Sequence, residues 1–433
     1  MADYKNVLMA LSPEEECLLD IVKNSIAGQD SDEGCGCRFM AGFDINRYDA
    51  DILKEAISLA ADHAVLSLIY DSLEEYSDVK AAGAVKAAKK SASTAFIQNN
   101  RLLYVTACIT KLLADNNVKS VVLKGVSAAR YYPSPFLRKS GDIDILAGDG
   151  ENFECARRLI KGYGYIEKKH QHSQHHAEFV SDEGITIELH RLLAEPFDNQ
   201  DMNVYMKKLA SDMLAGCEKT EIMGYRIPVC TRTQEAYYLL VHMLQHFLRA
   251  GFGIKLLCDW VVFWNTCDDE DIRKDFVKMA SESGILGFAS MVTAVCVEYL
   301  GLRKENAAFI AYQDYDRQDV RLFMDEILTA EEFGKSANDR MVVMRGNSPA
   351  DYMREFHHQM QLNNPKHANK IIMWPYLWAK TLVVFVHNNR NLRRVSTLKV
   401  MKKAHARSRI VKNMHIFSTE DGKRRNVKIL YKS

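Results

Sequence analysis

Apolar residues recur at helical spacing along the first quarter of the chain. Ser12-Pro13-Glu14-Glu15 combines an N-cap residue, a helix-initiating proline and a capping-box acid directly before an apolar run that begins at Cys17. After a Gly-, Cys- and Asp-rich break, the stretch from Ala50 to Leu113 contains no proline and has apolar residues at helical spacing. This pattern predicts a first helix starting near residue 13 and a helical region over residues 1–115.

The periodicity changes from helical to alternating at Val118. Val121-Val122-Leu123 predicts a short buried strand, and the residues from Asp142 to Leu146 alternate between acidic and apolar types. Two further alternating runs flank the turn Ser181-Asp182-Glu183-Gly184 and end near Leu193, and a helix is predicted from Asn152 to Tyr163. We therefore expect a small α/β core within residues 116–228.

Helical patterns return from Thr231 onward. One apolar stripe contains Tyr237 and Leu244, and another contains Leu257 and Trp260. These patterns predict a helical domain over residues 229–345 and a helical, basic segment over residues 346–433. The fold class that follows is α+β, with a small mixed β-sheet core flanked by N-terminal and C-terminal helical regions.

Composition excludes some classes of protein. A hydrophobic content of 47% excludes a disordered chain, and a net charge of +1 argues against a protein that coats nucleic acid with its whole surface. The residues from Arg390 to Ser433 nevertheless include fourteen basic and two acidic residues, a net charge of about +12. This basic tail is interpreted as a contact for RNA, for an anionic membrane surface or for a phosphorylated acceptor, or as a solvated face.

The cysteines and the terminus indicate a compartment. The ten cysteines include no Cys-x-x-Cys, so reduced thiols are expected, and the N-terminus shows no apolar signal segment. The nearest approach to a membrane span, Ile371 to Val386, is interrupted by Pro375 and Lys380. We expect a cytoplasmic protein without an integral membrane segment.

Three carboxylates are the candidate catalytic and metal-binding residues. Because side chains alternate along a strand, Asp142 and Asp144 point to one side, where a solvent cleft is expected. In the run Ile185 to His190 the same alternation places Glu188 on the polar side, so it joins the aspartates if the strands are neighbours. Three such oxygen donors suit Mg²⁺ or Mn²⁺, and a metal pair there would clamp the oxygens of a phosphoryl displacement.

A phosphate site is predicted just upstream. Gly125 lies where a strand runs into a helix, and a glycine there lets a phosphate approach the backbone near the helix N-terminus. Lys124, Ser127, Arg138 and Lys139 are the side chains expected to contact it. Arg138 is the strongest of these candidates, because its planar guanidinium suits phosphate.

The order of these motifs resembles the nucleotidyltransferase superfamily, in which a glycine at a helix start precedes an acidic-x-acidic strand and a later strand acid. More narrowly, the chain resembles the uncharacterised bacterial nucleotidyltransferase family, whose pattern runs Leu-Lys-Gly, an arginine before Asp-Ile-Asp-Leu-Leu-Val, and Glu-Leu-His-Trp. The matching residues here are Leu123-Lys124-Gly125, Arg138, Asp142-Ile143-Asp144-Ile145-Leu146 and Glu188-Leu189-His190. Arg191 stands where the family prefers an aromatic residue.

The resemblance implies transfer of a nucleoside monophosphate from an NTP to a hydroxyl or phosphate acceptor, with release of pyrophosphate. It implies that Asp142 and Asp144 bind the metals, and that Glu188 completes the site or acts as a base. The sequence identifies neither the base of the NTP nor the acceptor, which is a small molecule, a sugar phosphate, a protein or RNA. Two alternatives remain: an inactive nucleotide-binding module, and a metal-dependent hydrolase built on histidines.

Histidines are concentrated before and after the Glu188 strand. His176 and His190 share a face of the predicted sheet and are the candidate acceptor-binding residues. His170, His172, His175 and His176, together with His190, have the ligand type that zinc or another transition metal prefers. Most of these histidines are nevertheless interpreted as solvated, since His-x-His at a polar strand end is usually so. His242, His246 and Asp259 stand on apolar helical stripes, where we predict satisfied core groups or a lining of the nucleotide or acceptor pocket.

Overall fold

A computed structural model describes residues 10–27, 44–74, 82–168, 175–197, 199–249 and 251–330, followed by residues 353, 356–357, 360, 364, 371–387, 411 and 413–417. Its helices are α1 (Pro13–Ile26), α2 (Ala50–Asp62), α3 (Tyr70–Glu74), α4 (Ala82–Asp115), α5 (Val126–Ala129), α6 (Glu151–Gly162), α7 (Gln200–Ala215), α8 (Arg232–Arg249), α9 (Ile254–Asn265), α10 (Glu270–Glu282), α11 (Leu286–Tyr299), α12 (Lys304–Ala307), α13 (Arg317–Ala330) and α14 (Trp374–His387). Its strands are β1 (Val121–Val122), β2 (Asp142–Leu146), β3 (Ile166–Glu167), β4 (His176–Val180), β5 (Thr186–His190), β6 (Glu218–Ile222) and β7 (Tyr225–Val229).

The first helix begins where the sequence predicts it. The Ser12 hydroxyl accepts a hydrogen bond from the Glu15 amide, and the Glu15 carboxylate accepts one from the Ser12 amide. This capping box satisfies two groups that a helix start leaves unpaired. Within residues 50–113, the described residues are mostly helical, as predicted, in α2, α3 and the long helix α4.

The seven strands form one mixed sheet in the order β3-β4-β5-β2-β1-β7-β6. Strands β2 and β5 are parallel neighbours. Strands β4 and β5 form a hairpin, and the predicted turn at residues 181–184 connects them. The hairpin of β6 and β7 joins the same sheet through parallel pairing of Val122 with Val229. The sequence did not predict these strands, because few of their residues are apolar and buried: Ile222 in β6 and Ile227 and Val229 in β7.

The two faces of the sheet have different surroundings. Ile143 and Ile145 of β2 and Ile187 and Leu189 of β5 pack against α4 and α6 in a common apolar cluster. The opposite face of β2 and β5 carries the acidic and histidine side chains. Alternation therefore places the polar residues together, as the sequence predicts.

Helices that precede the sheet in the sequence and helices that follow it share a larger apolar core. This core joins Cys17 of α1, Leu53 of α2, Leu123 after β1, Trp260 of α9 and Phe323 of α13. The mixed sheet with helical regions before and after it confirms the predicted fold class. The predicted domain boundaries stay predictions.

Most of the basic tail after Arg390 lies outside the described residues, which there comprise only 411 and 413–417. The predicted tail contacts therefore stay predictions. None of the helices in the described part of the chain is long and apolar enough to span a membrane.

Candidate active site

The parallel register of β2 and β5 brings the three predicted carboxylates together. Asp142 pairs with Thr186 and Asp144 pairs with Glu188, so all these side chains share one face of the sheet. Asp142 is half-buried, but Asp144 is only 1% exposed. The expectation that both aspartates face a solvent cleft is therefore wrong for Asp144, which lies beneath other side chains of the site.

Lys124 lies between Asp144 and His242 and contacts both. Lys124 Nζ lies 3.2 Å from Asp144 Oδ1 and donates to His242 Nε2 at 3.2 Å. Burial opposes the charge of Lys124, but the charges of Asp144 and Asp142 raise the pKa of its ammonium. Burial and the Lys124 charge hold the pKa of His242 well below its usual value. A neutral imidazole therefore accepts a hydrogen bond from a charged ammonium at neutral pH.

Glu188 and His190 form a second charged pair beside Asp144. His190 Nε2 lies 3.1 Å from Asp144 Oδ1 and 3.4 Å from Glu188 Oε2. Burial disfavours the charge on both groups, but hydrogen bonding between them lowers the pKa of Glu188 to about 2 and, with Asp144, raises that of His190 to about 9. Glu188 is therefore ionised, and so weakly basic that it is better suited to hold a cation than to remove a proton.

Asp142 is the carboxylate whose ionisation the neighbouring negative charge disfavours. The charge of Asp144 and burial raise the pKa of Asp142 to about 6, against the opposing effect of Lys124. Repulsion of this kind between neighbouring carboxylates is relieved when a cation binds. Asp144 Oδ2 adds a second sign of such a site, because it is buried and has no hydrogen-bond partner within the described residues.

These observations test whether the residues fit a divalent metal. Asp142, Asp144 and Glu188 offer carboxylate oxygens, which Mg²⁺ and Mn²⁺ prefer. One ligand atom each of Asp144, Glu188 and His190 lies within 4.8 Å of the others. The donor set fits a hard divalent cation at the position next to the Lys124 ammonium.

Gly125, the glycine predicted to let a phosphate approach the backbone, has a positive φ. It precedes α5 with φ 68° and ψ −108°, and a Cβ built there would lie 3.6 Å from the carbonyl oxygen of Asp142. The space is adequate, so the constraint is the dihedral angle, which side chains disfavour. Helix α5 spans only Val126–Ala129, so the predicted contribution of a helix N-terminus to phosphate binding is small.

Replacement of Gly125 by alanine is expected to reduce the free energy of unfolding by about 1–3 kcal/mol, because alanine is strained in this region of φ and ψ. Chemical denaturation of the wild type and the variant measures the change. Gly162 to alanine is the matched control, since Gly162 lies in α6 with no atom within 4 Å of its added Cβ and no positive φ. An equal effect of both substitutions would contradict the strain at Gly125.

Two predicted phosphate contacts have other partners. Arg138 is 4% exposed, and its Nε and Nη2 each donate at 2.6 Å to an oxygen of Asp259. Ser127 is 1% exposed and donates to Glu235 Oε1 at 2.5 Å. These bonds correct the sequence interpretation: both side chains tie the core to the C-terminal helices, because α8 and α9 supply carboxylates that the sequence order does not reveal.

The remaining predicted binding residues differ in their exposure to solvent. Lys139 is exposed, whereas His190 is 4% exposed and is held by carboxylates rather than open to an acceptor. His176 is half-buried, with Nε2 4.0 Å from Glu188 Oε1. His170 and His172 lie outside the described residues.

Residues of the C-terminal helices complete the site. His242 was predicted either as a satisfied core residue or as a pocket residue, and its hydrogen bond with Lys124 places it beside the carboxylates. Lys255 of α9 was not singled out, yet its charge acts on Asp142. The available signal was spacing, since Lys255 precedes Asp259 by one helical turn.

Comparisons with known proteins give one family. No curated protein matches the chain at a significant level. The crystal structure of an antigenic nucleotidyltransferase-like protein from Paracoccidioides brasiliensis is similar at 10% identity and a TM-score of 0.29, over 44% of this chain and 92% of that one, which is too weak to add to the argument. The model of an uncharacterised nucleotidyltransferase family matches residues 51–301, more than half of the chain. The chain therefore belongs to this uncharacterised nucleotidyltransferase family.

Proposed function

We propose that the protein transfers a nucleoside monophosphate from an NTP to a hydroxyl or phosphate acceptor in a metal-dependent reaction. An acceptor oxygen forms a bond to the α-phosphorus while the bond from that phosphorus to the bridging β-phosphate oxygen breaks. The products are the nucleotidylated acceptor, pyrophosphate and the proton that the acceptor loses. The observation that carries this proposal is the placement of Asp142, Asp144 and Glu188 on one sheet face, beside the half-buried Lys124.

The carboxylates have separable roles in this proposal. Asp142, Asp144 and Glu188 hold Mg²⁺ or Mn²⁺, which when bound neutralises charge on the α-phosphate and lowers the pKa of the acceptor. Glu188 acts as a ligand rather than as the base, because hydrogen bonding to His190 lowers the pKa of its carboxyl group. His190 orients Asp144 and Glu188 through its Nε2 atom.

Lys124 has two successive partners in this proposal. Before the substrate binds, its ammonium balances the carboxylates at the position that suits a cation. Asp142, Asp144 and Glu188 would hold the cation, and the Lys124 ammonium beside them would then contact a phosphate oxygen of the NTP. Lys139, which is exposed in the loop before β2, and the backbone at Gly125 are the other proposed phosphate contacts.

Replacement of Lys124 by methionine is expected to reduce the free energy of unfolding by roughly 1.5–3 kcal/mol in metal-free buffer, because Asp144 then loses one of its two cationic partners and keeps only His190. Saturating Mn²⁺ should restore most of this loss, so thermal unfolding should show a larger metal-induced rise in Tm for the variant than for the wild type. Lys111 to methionine is the control, since Lys111 forms an exposed ion pair. An equal metal response in all three proteins would contradict a shared site for the ammonium and the metal.

The reaction itself is tested with the four NTPs, each labelled at the α-phosphate. Each is incubated with the full-length protein, Mg²⁺ or Mn²⁺ and a cell extract, and labelled small molecules, proteins and RNA are separated. A labelled acceptor that forms only with metal, and not with Asp142→Asn, supports transfer. Metal-dependent NTP binding without any labelled product would instead support the inactive nucleotide-binding module.

A further inference from the structure

Three imidazoles meet at the edge of the carboxylate site. His176 and His190 are paired across β4 and β5, and the carbonyl of His175 accepts hydrogen bonds from the amides of Arg191 and Leu192. One ring nitrogen from each histidine lies within 4.8 Å of one from each of the other two. His176 Nδ1 is 2.7 Å from His175 Nε2. The backbone of two paired strands thus holds the three rings together.

Each of these rings has its other nitrogen facing a carboxylate. His175 Nδ1 lies 3.6 Å from Glu195 Oε1, His176 Nε2 lies 4.0 Å from Glu188 Oε1, and His190 Nε2 lies 3.1 Å from Asp144 Oδ1. Metal-binding histidines commonly place one nitrogen on the metal and the other on a carboxylate or carbonyl, which fixes the ring and raises its basicity. His190 follows this pattern, since its Nε2 lies at hydrogen-bond distance from Asp144, whereas the carboxylates beside His175 and His176 lie 3.6 Å and 4.0 Å away.

The remaining nitrogen of His190 is an independent sign of a ligand. His190 is 4% exposed, and its Nδ1 is buried without a hydrogen-bond partner among the residues that the structure describes. A buried polar atom left without a partner costs about 1–3 kcal/mol. A metal ion at Nδ1 would satisfy this atom while Nε2 keeps its contact with Asp144.

We propose that His175, His176 and His190 form a second cation site, which binds Zn²⁺ or a similar divalent transition metal. Imidazole nitrogen suits such metals, whereas Mg²⁺ prefers the oxygens of the carboxylate site. Two nitrogens on one tetrahedral zinc lie about 3.3 Å apart, so the His175 and His176 rings need to separate only slightly to bind it. A metal on three imidazoles keeps one coordination position for water or a substrate atom and holds His190 against Asp144.

The test uses the full-length protein stripped of metal with a chelator and then titrated with Co²⁺ as a spectroscopic substitute for Zn²⁺. Saturating Mg²⁺ is present throughout to fill the carboxylate site. We expect about one equivalent of Co²⁺ to bind with the intense visible absorption of a tetrahedral ion, and Zn²⁺ to displace it. Binding should weaken by at least about tenfold in His175→Gln and in His176→Gln.

Two control variants test whether the Co²⁺ spectrum comes from these three histidines. His415→Asn removes an exposed imidazole elsewhere and should leave the Co²⁺ titration unchanged. Asp142→Asn disables the proposed nucleotidyl transfer but keeps all three imidazoles, so its Co²⁺ spectrum should persist. Absence of the tetrahedral spectrum in the wild type, or its survival in the His175→Gln, His176→Gln double variant, would overturn the proposal.

Discussion

Asp142→Asn is expected to abolish nucleotidyl transfer and at the same time to stabilise the fold at neutral pH. Loss of a metal ligand removes several kcal/mol of transition-state stabilisation, which corresponds to a rate reduction of roughly a thousandfold or more. The fold gains because Asp144 and burial raise the pKa of Asp142 to about 6. Ionised Asp142 therefore costs folding free energy that asparagine does not.

The sign of the stability change follows from the direction of the pKa shift. A carboxylate whose pKa is higher in the folded state than in the unfolded state is destabilising when ionised. The cost is complete above pH 6 and disappears as the pH falls through about 4. Asp142→Asn should therefore raise the free energy of unfolding by roughly 2–3 kcal/mol at pH 7 in metal-free buffer, and by little at pH 4.

Activity and urea denaturation at both pH values are the measurements. Asp149→Asn is the matched control, because Asp149 is exposed three residues beyond the end of β2. It should change neither activity nor stability appreciably. Wild-type turnover by Asp142→Asn with Mg²⁺ would refute the site assignment. A stability loss in Asp142→Asn would refute the repulsion between the two aspartates.

Asp144→Asn is expected to abolish transfer as well, but to destabilise the fold. Asp144 is the common partner of Lys124 and His190, at 3.2 Å and 3.1 Å. Loss of hydrogen bonds to charged groups typically costs about 1.5–3 kcal/mol. Opposite stability changes for two aspartates of one motif would distinguish this geometry from a solvated acidic strand, on which both substitutions are nearly neutral.

Arg138→Met and Asp259→Asn are each expected to reduce the free energy of unfolding by about 3–5 kcal/mol, because each leaves a buried charge without its partner. The pair is bidentate and both residues are at most 4% exposed. Tyr132 donates a further hydrogen bond to Asp259 Oδ1 at 2.7 Å. The pair joins the loop before β2 to α9, so its loss should loosen the packing of the core on the C-terminal helices.

The double variant Arg138→Met, Asp259→Leu separates an unpaired charge from general loss of packing. The double variant should recover a large part of the free energy of unfolding that each single variant loses, because apolar residues of similar volume replace buried ion pairs well. Lys139→Met controls for removal of a basic residue at an exposed neighbouring position and should change stability by less than about 0.5 kcal/mol. If Arg138→Met kept wild-type stability and lost only NTP affinity, this result would support the phosphate contact that the sequence predicts for Arg138.

The sequence determined the parts of the site that lie within single elements. Strand alternation placed Asp142 and Asp144 on one face and Glu188 on the polar face of β5, because the direction of a side chain in a strand depends only on its position. The capping box at Ser12 likewise fixed the start of α1, since its hydrogen bonds close within three residues. The family motifs supplied the order of these elements and hence the expected chemistry.

Only the tertiary structure decided which charges meet across the chain. Arg138 and Asp259 are 121 positions apart, and Lys124 and His242 are 118 apart. Local patterns do not encode such pairs, because these pairs depend on how α8 and α9 pack over the sheet. The same packing buries Asp144 and brings the Ser127 hydroxyl within hydrogen-bond distance of Glu235. It also places three histidines close together at the edge of the site. Periodicity predicts the face on which a side chain lies, whereas the long-range packing of helices on the sheet selects its partner.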